Sequence, residues 1–335
     1  MLAAVCREYG PPEVLRIEEI PVPALTAGRV RVRVGAAAVN FPDVLLVANR
    51  YQVSVPPPFV PGSEFAGVIE EVGEGVDDIS AGDRVMGTII TGAFAEEAVA
   101  SARSVTHIPP GIGDRSAAAF GVAHRTAYHV LRSVAALAPG DELVVLGAGG
   151  GVGLALVQLG AVLGATVTAV ASSAAKLEAA AAHGASRRIN HKAGDLREAL
   201  RAALPAGADT VVDTVGGDLS EPALRALRWG GRFVTIGYAS GTIPQIPLNL
   251  VLLKGVHVVG FQLRDFAARS PGEFGQGEQE LLRLLASGRA LPHIGATFGL
   301  SETAAALRHV ADGKAIGKVV LDVSVTQRPV RPERT

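Results

Sequence analysis

The segment "ELVVLGAGGGVGLALVQLGAVLGATVTAVASSAAKLE", residues 142–178, decides how the chain folds. No charged residue lies between Leu143 and Ala175, a run long enough for a membrane-spanning helix. Seven glycines interrupt this run, and each glycine inside a helix costs about 1 kcal/mol relative to alanine. Neither flank carries the cluster of Lys or Arg that orients a membrane span. We therefore interpret the run as a strand, a glycine turn, a helix and a second strand.

The glycine turn has the pattern GxxGxxG at Gly147, Gly150 and Gly153. Bare backbone lets a pyrophosphate approach the N–H groups, and the third glycine lets the helix pack closely on the strand. The helix N-terminus presents its positive dipole end to the phosphates. The pattern predicts a dinucleotide site with contacts from Gly150, Gly151 and Val152. A tight turn that holds no ligand is the alternative interpretation.

The end of the second strand indicates which dinucleotide is bound. An NAD site usually carries an acidic residue there, which binds the ribose 2′-hydroxyl. This chain has Ser172 and Ser173 at that place, followed by Lys176. Two hydroxyls and an ammonium group accept a 2′-phosphate, so the predicted cofactor is NADPH. Alternatively, Ser173 only caps the helix that begins near Ala174, and Lys176 is solvated.

Further strands and helices follow in alternation. The predicted strands are 187–190, 208–217, 231–238 and 255–261, and the predicted helices are 175–183, 194–203 and 219–228. Six strands with helices on both faces form a doubly wound parallel sheet, which binds ligands beyond the carboxyl ends of its strands. Candidate cofactor contacts at these ends are Val215, Gly216, Gly237 and Tyr238, with ordinary turn chemistry as the alternative.

The first part of the chain is rich in β-strand patterns. Residues 28–39 alternate polar and apolar side chains, as a half-buried strand does. Residues 67–73 and 83–88 continue this pattern, whereas the prolines of 56–62 exclude a helix or a central strand. We predict an antiparallel β domain to which the last strand, "GKVVLDV", returns. The predicted boundaries are residues 1–120, completed by 264–335, for the β domain and 121–263 for the dinucleotide domain.

Composition excludes several classes of function. The chain has 335 residues, 48 % of them hydrophobic, and a net charge of -1. This balanced charge, without a basic stripe, argues against nucleic acid as a partner, and no membrane association is predicted. Its one cysteine, Cys6, leaves no disulfide framework, so a cytoplasmic protein is expected. The final "TQRPVRPERT" is interpreted as a solvated tail without a function.

Taken together, these motifs resemble the medium-chain dehydrogenase/reductase superfamily, in its zinc-independent quinone oxidoreductase branch. The resemblance covers nearly the whole chain and is carried by "VNFPDVLLVANRY" (39–51), "PPFVPGSEFAGVIEEVGEGV" (57–76), "GDRV" (82–85), "RTAYHVL" (125–131), the glycine turn and helix (147–165), "VVDTVGGD" (211–218) and "GKAIGKVVL" (313–321). It implies a GroES-like β domain, a Rossmann domain and an active site in the cleft between them.

The resemblance also implies that no metal is bound. Zinc enzymes of this superfamily hold the catalytic metal with a cysteine and a Gly-His-Glu motif, which read Asn40 and Gly62-Ser63-Glu64 here. The loop with four cysteines that holds a structural zinc is also missing after "GDRV". Without a metal to polarise a carbonyl, the acceptor must itself be electrophilic. Quinones meet this condition, as do alkenes conjugated to a carbonyl.

The resemblance assigns expected roles to individual residues. Asn40 and Tyr51 are the candidate catalytic residues at the floor of the cleft, although Asn40 could cap a strand end and Tyr51 could be a buried ring. Asp43 is expected to order the "NFPD" turn, and Glu64 to support the fold. Further expected contacts are Thr126 and His191 with the cofactor, and Phe261, Gln262 and Lys318 at the nicotinamide and substrate end.

The leading hypothesis is an NADPH-dependent quinone reductase that transfers a hydride without metal. A reductase of enones or 2-alkenals uses the same chemistry and differs in pocket shape. A protein that binds NADPH without turnover is the third hypothesis. A homodimer is expected because the segment "KGVHVVGFQ", residues 254–262, would otherwise leave an apolar edge strand exposed.

Overall fold

The computed structural model describes residues 1–323, and the predicted tail lies outside this range. Its strands are β1 (Leu2–Val5), β2 (Arg16–Glu19), β3 (Arg29–Val39), β4 (Glu64–Val72), β5 (Arg84–Thr88), β6 (Glu97–Ser101), β7 (Val105–His107), β8 (Glu142–Leu146), β9 (Thr166–Ala171), β10 (Arg187–Asn190), β11 (Ala208–Asp213), β12 (Leu227–Thr235), β13 (His257–Gly260), β14 (Ile294–Gly299) and β15 (Lys318–Asp322).

The helices are α1 (Phe41–Val47), α2 (Asp114–His129), α3 (Gly151–Val162), α4 (Ala174–Ala182), α5 (Leu196–Ala203), α6 (Ser220–Arg225), α7 (Leu248–Lys254), α8 (Leu263–Arg269), α9 (Pro271–Ala286) and α10 (Thr303–Ala311). A π-helical turn, Val130–Val134, continues α2. The charge-free run is thus β8, the glycine turn, α3 and β9. Across residues 1–323, we find no helix with the length and apolarity that crossing a membrane requires.

In the described part of the chain, a six-stranded sheet has the order β10-β9-β8-β11-β12-β13, with parallel neighbours throughout. The side chains of β8 alternate between two cores: Leu143 and Val145 pack with α2 and α3, whereas Val144 and Leu146 pack with α5 and α6. Because both faces are covered by helices, the strand is apolar without alternation. The predicted doubly wound sheet is confirmed.

Within residues 1–323, the second large sheet has seven strands in the order β14-β15-β3-β4-β5-β7, with β6 also paired to β3. The late strand β15 is antiparallel to β3, with Val319 opposite Val39, as predicted for the returning strand. The domain is not purely antiparallel, because β14 and β15 run parallel. The 18 residues between β14 and β15, 300–317, contain α10. A crossover of this length allows a parallel pair.

Helix α2 connects the two sheets, since it packs on α3 and also on β3 and β4. The predicted boundary between residues 120 and 121 lies inside this helix. The predicted boundary between residues 263 and 264 lies at the start of α8. Both domain limits stay predictions, but the continuous α2 ties the cleft floor to the dinucleotide half.

Several predicted strand limits are wrong, and two of them have a clear physical cause. The fourth strand ends at Asp213 instead of residue 217, because the Asp213 carboxylate accepts the N–H groups of Val215 and Gly216 at 2.8 and 2.9 Å and turns the chain. The fifth begins at Leu227 instead of residue 231, because Leu227 already pairs with Ala208. The predicted strand 187–190 matches β10.

Candidate active site

The glycine turn is built so that backbone approaches backbone. Gly147 has a φ of 73°, which favours glycine. A Cβ on Gly153 would lie 2.0 Å from the carbonyl oxygen of Gly147, so only glycine allows α3 to pack there. Gly150 is the N-cap of α3, and the first N–H groups of a helix have no acceptor within it. Gly151 and Val152 in this first turn thus fit a bound phosphate.

Two lysine stems lie over this turn. A Cβ on Gly149 would lie 2.5 Å from Cβ of Lys176, and one on Gly151 would lie 2.9 Å from Cδ of Lys318. The turn also contacts the segment before β15, since the Gly317 N–H donates to the Gly149 carbonyl at 2.8 Å. Residues from both sheets therefore meet at the glycine turn.

Basic groups gather at the carboxyl end of β9. Lys176 Nζ donates to the carbonyl of Gly313 at 2.6 Å, so this lysine is engaged instead of freely solvated. Burial lowers the pKa of Lys176, and the charge of Lys192 lowers it further. The pKa of His191 is lowered by burial first and then by Lys192 and Lys176. The three basic side chains thus share one electrostatic environment.

The two serines at this end are not equivalent. Ser173 is the N-cap of α4, and its hydroxyl accepts the Lys176 N–H at 3.4 Å. This is the capping role that the sequence left open for Ser173. Because the hydroxyl is the acceptor in this contact, its own proton and a second lone pair stay available for a ligand. Ser172 is half-buried beside it.

The cleft floor is a buried ion pair, Lys318 with Glu64, joined by the amide of Asn40. Lys318 Nζ donates to Asn40 Oδ1 at 2.6 Å and forms an ion pair with Glu64 Oε1. Asn40 Nδ2 donates to the same Glu64 oxygen at 2.9 Å. The second Glu64 oxygen accepts the Val122 N–H of α2 at 2.8 Å. The residues come from three separate places in the sequence, and the fold brings them together.

Asn40 also begins α1. Its backbone N–H donates to Asp43 Oδ2 at 2.7 Å, which forms the capping box of this helix. The expected turn-ordering role of Asp43 is present in this contact. Tyr51 is half-buried nearby; burial raises the pKa of its hydroxyl, Arg264 lowers it and Asp43 raises it. The structure therefore places Asn40 and Tyr51 near one carboxyl group.

The carboxyl ends of β11 and β12 form the next part of the cleft edge. Asp213, fully buried, holds Val215 and Gly216 in place and accepts the Ser220 hydroxyl at 2.6 Å. Sequence reasoning did not single out Asp213, although its place at a strand end before two glycines was a signal. A Cβ on Gly216 would lie 2.8 Å from Cδ1 of Tyr238. Val215, Gly237 and Tyr238 thus lie just beyond these strand ends, and their contact with a cofactor stays a prediction.

The remaining predicted residues lie around α2 and α8. The ring centroids of Phe261 and Phe266 are 5.5 Å apart. The backbone N–H of Phe261 donates to the Thr235 carbonyl at 3.1 Å. Gln262 caps α8 by accepting the Asp265 N–H at 2.6 Å, so its amide oxygen serves the helix. Thr126 is half-buried on α2.

His124 lies inside the protein and faces Gln158, with 3.0 Å between Nε2 and Oε1. Burial lowers the pKa of this imidazole to about 4, so it is neutral near pH 7. Over residues 1–323, no group of three or more His, Cys, Asp or Glu side chains is arranged to hold a metal ion. Independently of this, Lys318 is a buried cation of the cleft floor.

Comparisons with known proteins agree with this architecture. Residues 26–110 match the family described as alcohol dehydrogenase GroES-like domain, and residues 151–283 match the zinc-binding dehydrogenase family. A quinone oxidoreductase-like protein 2 from Bos taurus is 36 % identical over 323 residues, which cover 96 % of this chain and 92 % of that protein. The predicted GroES-like and Rossmann combination is confirmed.

Two solved structures are similar over almost their full length. The quinone oxidoreductase of Escherichia coli, complexed with NADPH, has a TM-score of 0.90 and 28 % identity, covering 96 % of this chain and 100 % of that one. A mycobacterial protein complexed with NADPH has a TM-score of 0.89 and 30 % identity, covering 96 % and 100 %. With its two sheets, its glycine turn and these relatives, the chain belongs to the quinone oxidoreductase branch of the medium-chain dehydrogenase/reductase superfamily.

Proposed function

We propose that this protein is an NADPH-dependent reductase of quinones that works without a metal. One observation carries the proposal: Lys318 touches the glycine turn with its stem and the cleft floor with its ammonium group. The cradle for a pyrophosphate and the predicted acceptor site are therefore parts of one structure. The solved relatives with NADPH support the cofactor, and the quinone oxidoreductase-like relatives support the class of acceptor.

The chain's own residues fit this cofactor. Gly150, Gly151 and Val152 would hold the pyrophosphate with the N–H groups at the start of α3. Val215, Gly237, Tyr238, Thr126, Phe261 and Gln262 would surround the nicotinamide half. NADPH supplies a hydride when it is bound.

The preference for NADPH over NADH follows from charge. Ser172, Ser173 and Lys176 stand where an NAD enzyme has an acidic residue, and His191 and Lys192 lie in the same field. A charge-assisted hydrogen bond contributes roughly 1.5–3 kcal/mol. One such bond to the 2′-phosphate therefore raises the affinity for NADPH over NADH by about one to two powers of ten.

At the acceptor end, the chain offers hydrogen-bond donors beside a buried charge. Lys318 donates to the side-chain oxygen of Asn40, and one N–H of its amide donates to Glu64. Asn40 can therefore act on an acceptor only through its other amide N–H. Tyr51 offers a hydroxyl that interacts electrostatically with the buried Asp43 carboxyl group. Developing negative charge on an acceptor oxygen is stabilised by such fixed donors. The buried Lys318 places a positive charge next to Asn40.

The test is NADPH oxidation, followed by absorbance, against a panel of one benzoquinone, one naphthoquinone, one enone and one simple alcohol. We expect turnover of the quinones without sensitivity to a chelator. Turnover of the enone alone would favour the alternative double-bond reductase. Turnover of the alcohol alone, lost on adding a chelator, would overturn the proposal. NADPH binding without turnover of any acceptor would favour a non-catalytic protein.

We also propose that the protein is a cytoplasmic homodimer. In the part of the chain that the structure describes, β13 pairs on one side only, with β12. Near it, Leu252 is 80 %, Trp229 76 % and Leu253 72 % exposed, and exposed apolar patches beside a free strand edge mark interfaces. A monomeric mass in solution at working concentration would contradict the dimer.

A further inference from the structure

Beneath the cleft, two buried carboxyl groups interact with one ammonium group, Glu64 as its ion-pair partner and Asp43 through its electrostatic field. Asp43 is 0 %, Glu64 1 % and Lys318 3 % exposed. A second buried negative charge without a compensating cation costs several kcal/mol. The charges of this cluster balance if one of the two carboxyl groups carries a proton.

The hydrogen bonds identify the protonated group. One oxygen of Glu64 accepts hydrogen bonds from Lys318 and Asn40, and the other accepts the Val122 N–H. Such bonds favour the ionised form of the carboxyl group. Asp43 receives the Asn40 N–H on Oδ2, while its Oδ1 has no hydrogen-bond partner within residues 1–323. Glu64 is therefore the carboxylate, and Asp43 holds the proton.

The electrostatics agree with this assignment. Burial is the main cause that raises the pKa of Asp43 to about 7, and the charge of Glu64 also raises it. The Asn40 N–H, the Ser63 hydroxyl and the charge of Lys318 lower this pKa. Of the other elements packed on α1, helix α10 carries Arg308, which is paired with Glu13, and His309, which contacts the Phe298 ring. The loop after α1 brings Tyr51, which interacts electrostatically with Asp43 and Arg264.

A quinone that has gained a hydride carries one negative charge on oxygen and needs one proton. We propose that Asp43 stores this proton and that Tyr51 passes it to the reduced acceptor. This inference rests on the proposed function. The Tyr51 O–H bond breaks as the acceptor O–H bond forms, and the Asp43 proton restores the tyrosine. Asp43 is left as a carboxylate near Lys318, and water reprotonates it between turnovers.

The first experiment compares Asp43→Asn with Asp77→Asn, which makes the same change at an exposed carboxylate. Asparagine keeps an oxygen for the Asn40 N–H but cannot release a proton. In the unchanged protein, kcat should be constant below pH 7 and fall about tenfold per pH unit well above it. Asp43→Asn should lower kcat at pH 6 by at least about tenfold and remove this pH dependence, with the KM for NADPH changed less than about twofold. Asp77→Asn should keep the original profile, and an Asp43→Asn variant that also keeps it overturns the proposal.

The second experiment needs no variant. In a single turnover followed with a pH indicator in weak buffer at pH 6, proton uptake from solvent should lag behind NADPH oxidation. Simultaneous uptake would overturn the inference. If no acceptor is turned over, the proposed function fails instead. Carbon NMR of the Asp43 carboxyl group then tests separately whether Asp43 holds a proton. A carboxyl group that is protonated at pH 6 and titrates near pH 7 supports the store, and one already ionised at pH 6 overturns it.

Discussion

The glycine turn and the cleft floor meet at Lys318, but different interactions hold them. In the turn, Gly147 and Gly153 lie six positions apart and are held by close backbone packing. At the floor, Lys318 and Asn40 are separated by 278 positions and are held by buried charge. The first region depends on the absence of side chains, whereas the second depends on a complete set of partners. The two should therefore fail in different ways when altered.

The largest effect is expected at the floor. Lys318→Met removes the cation and leaves Glu64 as an uncompensated buried charge, which costs about 3–5 kcal/mol of unfolding free energy. Chemical denaturation at pH 7 measures this loss. Lys314→Met is the matched control, because Lys314 makes an ion pair with Asp312 while 66 % exposed, and we expect a change below about 1 kcal/mol.

A second substitution separates charge from packing. Adding Glu64→Gln to Lys318→Met removes the stranded charge, so it should recover part of the lost unfolding free energy. If the double variant is as unstable as the sum of its two single changes, the floor is held by packing of the lysine stem and not by the ion pair.

In the glycine turn, the expected loss of stability comes from steric crowding. Gly153→Ala places a Cβ 2.0 Å from the Gly147 carbonyl oxygen, and such overpacking costs typically about 1–3 kcal/mol. NADPH affinity, measured by fluorescence titration, should fall with it because the start of α3 moves. The control is Gly275→Ala in α9, where a Cβ meets nothing within 4 Å and should stabilise the helix by roughly 1 kcal/mol. Equal effects at the two glycines would contradict the packing argument.

This contrast explains which parts sequence could predict. The turn, β9, β10 and the N-terminus of α3 follow from local spacing of glycine and apolar residues. The pairing of Lys318 with Glu64 does not, because no local pattern says which distant strands become neighbours. Asn40 was predicted to contact the acceptor, but its occupied carbonyl depends on a residue from the last strand. Asp43 was predicted to order a turn, but its complete burial depends on distant neighbours. The same is true of its Oδ1, which has no hydrogen-bond partner among residues 1–323.

Next to the glycine turn, a substitution at Lys176 should change the selectivity between NADPH and NADH. Lys176→Glu should lower the ratio of kcat/KM for NADPH to that for NADH by about 10–100-fold, because a carboxylate repels the 2′-phosphate. Arg201→Glu on α5 makes the same charge change at an exposed position and should leave the ratio within about twofold. A ratio that Lys176→Glu does not change would remove Lys176 from the phosphate site.

The smallest effect is expected at Ser173, where the capping and cofactor roles of one hydroxyl can be separated. Its contact with the Lys176 N–H is 3.4 Å long, so Ser173→Ala should cost about 0.5 kcal/mol, at the low end for an N-cap. If the hydroxyl also donates to the 2′-phosphate, the KM for NADPH should rise by up to about tenfold while that for NADH stays constant. Ser173→Thr keeps the hydroxyl and should restore both. A stability loss without any rise in the NADPH KM would leave Ser173 as a helix cap alone, and the selectivity would then depend on Lys176 and its basic neighbours.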